Sequence, residues 1–339
     1  MPDSGQVQAA VDQLAATLGH AVLIEDGRHR PLWWSVQGEV DTVRAHTILQ
    51  RTVGPEAVAL VARMRLATAT GPVRTPAVPE ADMQARWCVP MRDGTDLLGY
   101  LWVLDGDGTV APDQLPGLVA CADLAASVLA RQRASDQGHE RRRSALLARL
   151  AKGADADAAT ELVALENLDA DATVVVYGPA RAGGWGLGAG LSVHLQPVPG
   201  DPPTSGPPLP LADLRRAVER ADSTVRALRA GALLRTPSWD ALGAWHLVVA
   251  APADLSPGDI HPGVRALAAL PRADLLTTAR VVLELGGDVA RATAELHIHR
   301  TTLYYRLDRI EAVAGVDLKA GPDRGDLLMA LRLAAYREA

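Results

Sequence analysis

The chain has 339 residues, 48% of them hydrophobic, and a formal net charge of -6. That length allows two or three domains with real cores, and the acidic balance argues against a general coater of nucleic acid. There is no run of eighteen apolar residues to span a membrane. The opening MPDSGQVQAA has neither the basic start nor the apolar stretch of a signal peptide. Cys88 and Cys121 alone make no disulfide framework. A reducing cytoplasm, without a membrane, is the expected setting.

Residues 6–18 carry apolar positions at helical spacing. HAVLIE (20–25) and RPLWWSV (30–36) read as strands, and 41–65 is helical in pattern. RWCVPM (86–91) and LLGYLWVL (97–104) flank the turn Arg92-Asp93-Gly94-Thr95 and predict a hairpin. A helix follows over 112–133. This order implies an α+β sensory domain of about 130 residues. Residues 131–149 are polar and basic and read as a connecting helix or a hinge.

The middle section opens on a helix over 158–167, then strands at TVVVY (173–177) and LSVHLQ (191–196). Between those strands lies the Gly-rich connection 181–190, and after them a Pro-rich loop, 201–210. Residues 211–229 are helical in pattern, and WHLVVA (245–250) reads as a further strand. A smaller α+β domain accounts for these elements.

From 272 to 339 there are ten Lys or Arg and ten Asp or Glu, so this stretch is neutral and the acidic excess lies upstream. Residues 274–285 form a helix stopped by Gly286-Gly287. Asp288 caps a helix over 289–296, and the short turn His297-Ile298-His299 leads to a third helix, 300–314, stopped at Gly315. After a connection over 317–321, a fourth helix runs over 322–337 with Pro322 in its first turn. Two helices joined by three residues and braced by flanking helices form a helix-turn-helix pattern.

At 3.6 residues per turn, Leu303, Leu307, Ile310 and Ala314 fall on one face of the third helix and pack inward. Thr301, Tyr305, Asp308 and Arg309 lie roughly opposite, and Arg300 and Arg306 flank the seam. The second helix of such a motif enters the major groove by its N-terminal end. That assigns His299, Arg300, Thr301, Thr302, Tyr305, Arg306 and Arg309 as DNA-binding candidates, through base edges or phosphates. Tyr304 reads as packing. A helix-turn-helix that docks protein, or a solvated surface helix, fits the same periodicity.

The run His299 to Glu311, HRTTLYYRLDRIE, closely resembles the signature of PucR/CdaR-type transcriptional regulators. The family's run is His-Arg-Asn-Thr-Leu, any residue, Tyr-Arg-Leu, then Arg-Ile and an acidic residue; Thr301 stands where Asn is usual. Leu275-Leu276-Thr277-Thr278 resembles the family's opening helix, and Asp323-Arg324 with Ala330-Leu331-Arg332 its closing one. The strong resemblance covers about the last 65 residues. A weaker one reaches back to about Ala212, where residues 224–230 and 239–247 are similar to the end of the family's middle domain, itself similar to a diguanylate cyclase fold. The Gly-Gly-Asp/Glu-Glu-Phe signature of that cyclase is missing, so the resemblance implies a degenerate, non-catalytic domain. The N-terminal segment is similar to GAF-type sensory domains in its order of elements. The implied architecture is a multidomain α+β chain: a GAF-like α/β sensory domain (1–135), a linker helix with a smaller α+β middle domain (136–270), and an all-α helix-turn-helix domain (271–339).

No catalytic residue, cofactor site or metal site is expected. His297 and His299 sit two apart in a tight turn with no Cys or further His near them in sequence. Only Lys152 and Lys319 are lysines, and neither lies in a P-loop. The glycines at 183–190 lack a dinucleotide context, and no Gly-x-Ser-x-Gly elbow occurs. Trp33, Trp34, Trp87 and Trp102 cluster on the N-terminal strands, as core or as the lining of a ligand pocket. The adjacent Trp33 and Trp34 should point to opposite faces. The expected partners are double-stranded DNA, a second copy of the chain in a homodimer or higher homo-oligomer, and a small-molecule effector. A nucleotide-signalling enzyme and a non-DNA-binding interaction protein are the alternatives.

Overall fold

A computed structural model describes residues 3–36, 41–50, 55–271, 274–318 and 323–339. The chain divides into two compact units, Met1–Glu140 and Arg141–Ala339.

In the first unit, α1 (Ser4–Leu18) starts on Asp3, whose carboxylate accepts from Gln6 N at 2.9 Å while Gln6 returns the bond to Asp3 N at 3.0 Å. The strands are β1 (Val22–Asp26) and β2 (Pro31–Trp34). Within the expected helix over 41–65 the described residues form α2 (Thr42–Gln50) and α3 (Pro55–Arg63), and 51–54 lie outside them. A short strand that the sequence pattern does not announce, β3 (Val73–Thr75), precedes the hairpin β4 (Arg86–Asp93) and β5 (Asp96–Leu104). All pair antiparallel in the order β2-β1-β5-β4-β3.

Alternation along these strands supplies two apolar faces. Val22, Ile24, Val89, Leu101 and Val103 pack with Val7 and Val11 of α1. The same cluster takes Leu118, Ala122 and Ala125 from α4 (Leu115–Lys152). The opposite face brings Leu23, Cys88, Tyr100 and Trp102 against Val61 and Leu66. The basic stretch 131–149, left open between helix and hinge, is continuous helix within α4. By length and composition α4 could cross a membrane. Its apolar residues from Leu118 to Val128 instead serve the core just described.

In the second unit, α5 (Ala156–Glu166) leads to β6 (Thr173–Tyr177), β7 (Trp185–Gly188), β8 (Leu191–His194) and β9 (Leu209–Pro210), paired in the order β7-β8-β6-β9. The Gly-rich connection therefore contains a strand, β7, and the Pro-rich loop ends in one, β9. Pro210 sits at the end of the sheet's edge strand, where a missing N–H costs no ladder bond. α6 (Leu214–Arg229) covers the sheet with Leu214, Ala217 and Ala221, beside Leu146, Leu147 and Leu150 of α4.

Residues 245–250, expected as a strand, are helical: α7 (Trp245–Val249). Trp245 and Val248, three apart, are buried, while Leu247 is 67% exposed. A helix places the first two on one side and the third elsewhere, and tertiary packing decides what a short apolar run cannot. Two further short helices follow, α8 (Pro257–Ile260) and α9 (Pro262–Ala268), each with Pro at its first position.

The chain closes with α10 (Asp274–Glu284), α11 (Val289–Leu296), α12 (Arg300–Ala314) and α13 (Asp323–Glu338). Pro322, expected to open the last helix, and residues 319–321 of the connection before it lie outside the described residues. α13 has two apolar sides. Leu327, Ala330 and Leu331 join the core of α10, α11 and α12. Leu333 packs in a second cluster with Ala227 of α6 and Trp245 and Val248 of α7.

Candidate nucleic-acid interface

Local signals set where α11 and α12 begin and end. Gly286 and Gly287 take φ of 68° and 86° after α10, a region an L side chain rarely enters. The Asp288 carboxylate then accepts from Arg291 N at 3.1 Å and starts α11. α11 ends on His297, whose φ of 51° is left-handed. His299 opens α12 two residues later, its Nδ1 accepting from Thr301 N at 3.3 Å. α12 stops at Gly315, φ 69°. These turns are where the sequence pattern places them.

Leu303, Leu307 and Ile310 are buried in the core with Ala279, Val282 and Ala292. Ala314 is only partly buried beside them. On the other side Arg300, Thr301, Thr302, Tyr305 and Arg309 are all exposed, Tyr305 to 65%. His299 is exposed at the helix start, and its Nδ1 also lies 3.0 Å from Thr301 Oγ1. Six of the seven candidate residues thus face outward on the first three turns of one helix.

Arg306 is placed differently. Its Nη2 lies 2.9 Å from Asp274 Oδ2 and its Nη1 donates to Thr278 Oγ1 at 3.1 Å, so the guanidinium turns back onto α10. Tyr304, expected to pack, is 49% exposed and borders a cleft of about 260 Å³ with Val282, Leu307 and Leu318. The Glu311 carboxylate accepts from Leu318 N at 2.9 Å and holds the chain beyond α12.

Residues 275–333 match the family model of the PucR C-terminal helix-turn-helix domain. That stretch runs from α10 into α13 and contains the whole outward face just described. A PucR-type helix-turn-helix is the mark of a DNA-binding transcriptional regulator, and the match supports one here. No curated protein matches the chain.

The aromatic candidates of the first unit separate on the sheet. Trp33 is buried in the core with α1 and donates from Nε1 to Ser4 Oγ at 3.0 Å; Trp34 packs on the opposite face, as adjacent strand positions require. Trp87 is half-buried and donates from Nε1 to Asp105 Oδ2 at 3.1 Å. Trp102 borders a small cavity on that opposite face. Cys88 and Cys121 are both buried, and burial pushes both thiols up, Cys121 to about 11.

Proposed function

We propose that this chain is a sequence-specific transcriptional regulator that reads double-stranded DNA with α12. The observation that carries the reading is the two-sided helix. Leu303, Leu307 and Ile310 anchor it, while His299, Arg300, Thr301, Thr302, Tyr305 and Arg309 stand outward near its N-terminal end. In this geometry Arg300, Thr301, Thr302 and Tyr305 meet base edges or phosphates, and Arg309, further along, meets a phosphate. Arg306, among the DNA-binding candidates from sequence, sets the roll of the helix through Asp274.

The regulator is organised as a GAF-like sensory domain over 1–135, a middle domain over 136–270 that is a non-catalytic relative of a cyclase fold, and the reader over 271–339. It works as a homodimer, which presents two copies of α12 to two half-sites about 34 Å apart, one turn of the duplex. A small molecule held by the upstream domains shifts the spacing of those copies.

The test is selection of bound fragments from a pool of genomic DNA by the full chain. The expected result is a recurring motif with two related half-sites. Recovery of fragments with no shared sequence contradicts the reading, and recovery of a bound protein with no DNA favours a protein-docking helix-turn-helix.

A further inference from the structure

The hydrogen bonds at the start of α12 limit what Thr301 can offer to a partner. His299 Nδ1 accepts the backbone N–H of Thr301 at 3.3 Å, so that nitrogen carries no proton of its own. Thr301 Oγ1 lies 3.0 Å from the same Nδ1. Of these two atoms only the hydroxyl has a hydrogen to give, so Thr301 donates to His299. A threonine hydroxyl has one hydrogen, and this one is turned back onto the helix start.

With that hydrogen committed, Thr301 has no donor left for a phosphate oxygen, for guanine O6 or for thymine O4, all of which are acceptors. What it keeps is a γ-methyl, which the staggered arrangement about Cβ sets apart from the oxygen. Thr301 is exposed, and Tyr305, four residues on and so on the same face of α12, is 65% exposed. Methyl and ring form a small apolar patch on the outward face. Arg300 stands before it at the helix start and Arg309 a turn beyond it, both exposed.

In the major groove an apolar patch has a matching group in the C5-methyl of thymine. The Thr301 oxygen can still accept from the amino group of adenine or cytosine, but the adjoining Tyr305 ring favours the apolar contact, which takes both hydrocarbon surfaces out of water.

We propose that Thr301 is a specificity-determining residue that recognises a thymine through its γ-methyl, with His299 as the positioning residue that holds its hydroxyl back. The inference rests on the reading of α12 as the DNA-binding helix and names the base chemistry that one of its residues selects.

The experiment takes a duplex recovered by the full chain from genomic DNA and replaces each thymine of one half-site in turn by deoxyuridine, which removes only the C5-methyl. Fluorescence anisotropy at fixed salt compares the duplexes. At one position the affinity should fall about fourfold, the worth of one hydrocarbon group taken out of water. Thr301→Ser, which keeps the hydroxyl and lacks the methyl, should bind the thymine and deoxyuridine duplexes equally. Thr301→Val, which keeps a methyl and lacks the hydroxyl, should retain the preference. His299→Ala should shrink the preference, and His299→Asn, which restores an acceptor and a helix cap, should recover it.

No effect of deoxyuridine on the unaltered chain, or an effect that Thr301→Ser leaves intact, overturns the assignment. Loss of the preference in Thr301→Val makes the hydroxyl the reader and overturns it as well. A His299→Ala variant that weakens both duplexes alike overturns the positioning role, because a mere helix cap acts on both. DNA binding without a thymine preference that depends on Thr301 overturns this inference and leaves the regulator reading standing. No binding to any duplex contradicts that reading and this inference with it.

Discussion

Arg306 Nη2 lies 2.9 Å from Asp274 Oδ2, and the same guanidinium reaches Thr278 Oγ1, so a residue of the signature-bearing helix is spent on α10. Arg306 is largely buried while Asp274 is a third exposed, so the pair contributes about 1 kcal/mol. Arg306→Ala should lower the melting temperature and weaken DNA binding while leaving its salt dependence unchanged, because no phosphate contact is lost. A reduced slope of log affinity against log salt would instead make Arg306 a phosphate ligand.

Leu303 is fully buried in the C-terminal core. Leu303→Ala should cost about 2–5 kcal/mol, from lost transfer energy and the hole left behind. Denaturant unfolding followed by circular dichroism measures this. A loss well under 1 kcal/mol would mean that α12 is not anchored through this residue.

Glu284 and Arg332 form a two-pronged pair, Nε to Oε1 at 2.6 Å and Nη2 to Oε2 at 2.5 Å, joining α10 to α13, with the guanidinium over the Trp245 ring. Both side chains are largely buried. Glu284→Ala strands the arginine and should cost about 3–5 kcal/mol in the same unfolding assay. A change within about 0.5 kcal/mol would show the pair to be replaced by solvent.

His29 Nδ1 donates to the Glu25 carboxylate at 2.7 Å, and the ring stacks on Tyr100 with centroids 5.4 Å apart. The bond to Glu25 raises the His29 pKa, against the opposing effect of burial. Its contribution to stability is therefore fully present below about pH 6.5, the unfolded value, and is lost as pH rises through the higher folded value. His29→Asn, which tolerates the left-handed backbone there (φ 61°), should flatten the decline of melting temperature above about pH 6.5. An unchanged profile in the variant would place the titration elsewhere.

The helix-turn-helix was legible because its signals are local. Glycine stops at 286, 287 and 315, the Asp288 cap and the inward spacing of Leu303, Leu307 and Ile310 need no distant partner. α7 was misread because WHLVVA is short, apolar and β-branched, and its packing against α6 and α13 settles it as helix. β3 and β7 span only three and four residues, too few for a period to show. Ser256-Pro257 and His261-Pro262 were usable helix starts for α8 and α9. A buried charge cluster in the first unit joins Arg44 and Asp41 to Arg86, 45 positions after Asp41. Its one local trace was an arginine two residues before Cys88, on the same inward strand face.

On the proposed function, the outward face of α12 meets the phosphates and bases of DNA. Fluorescence anisotropy of a bound duplex across a salt series, for the chain and for Arg300→Ala and Arg309→Ala, tests it most directly. Both variants should bind more weakly with normal circular dichroism, and Arg309→Ala should have a salt slope smaller by about 1. Unchanged affinity and slope in both well-folded variants would contradict it.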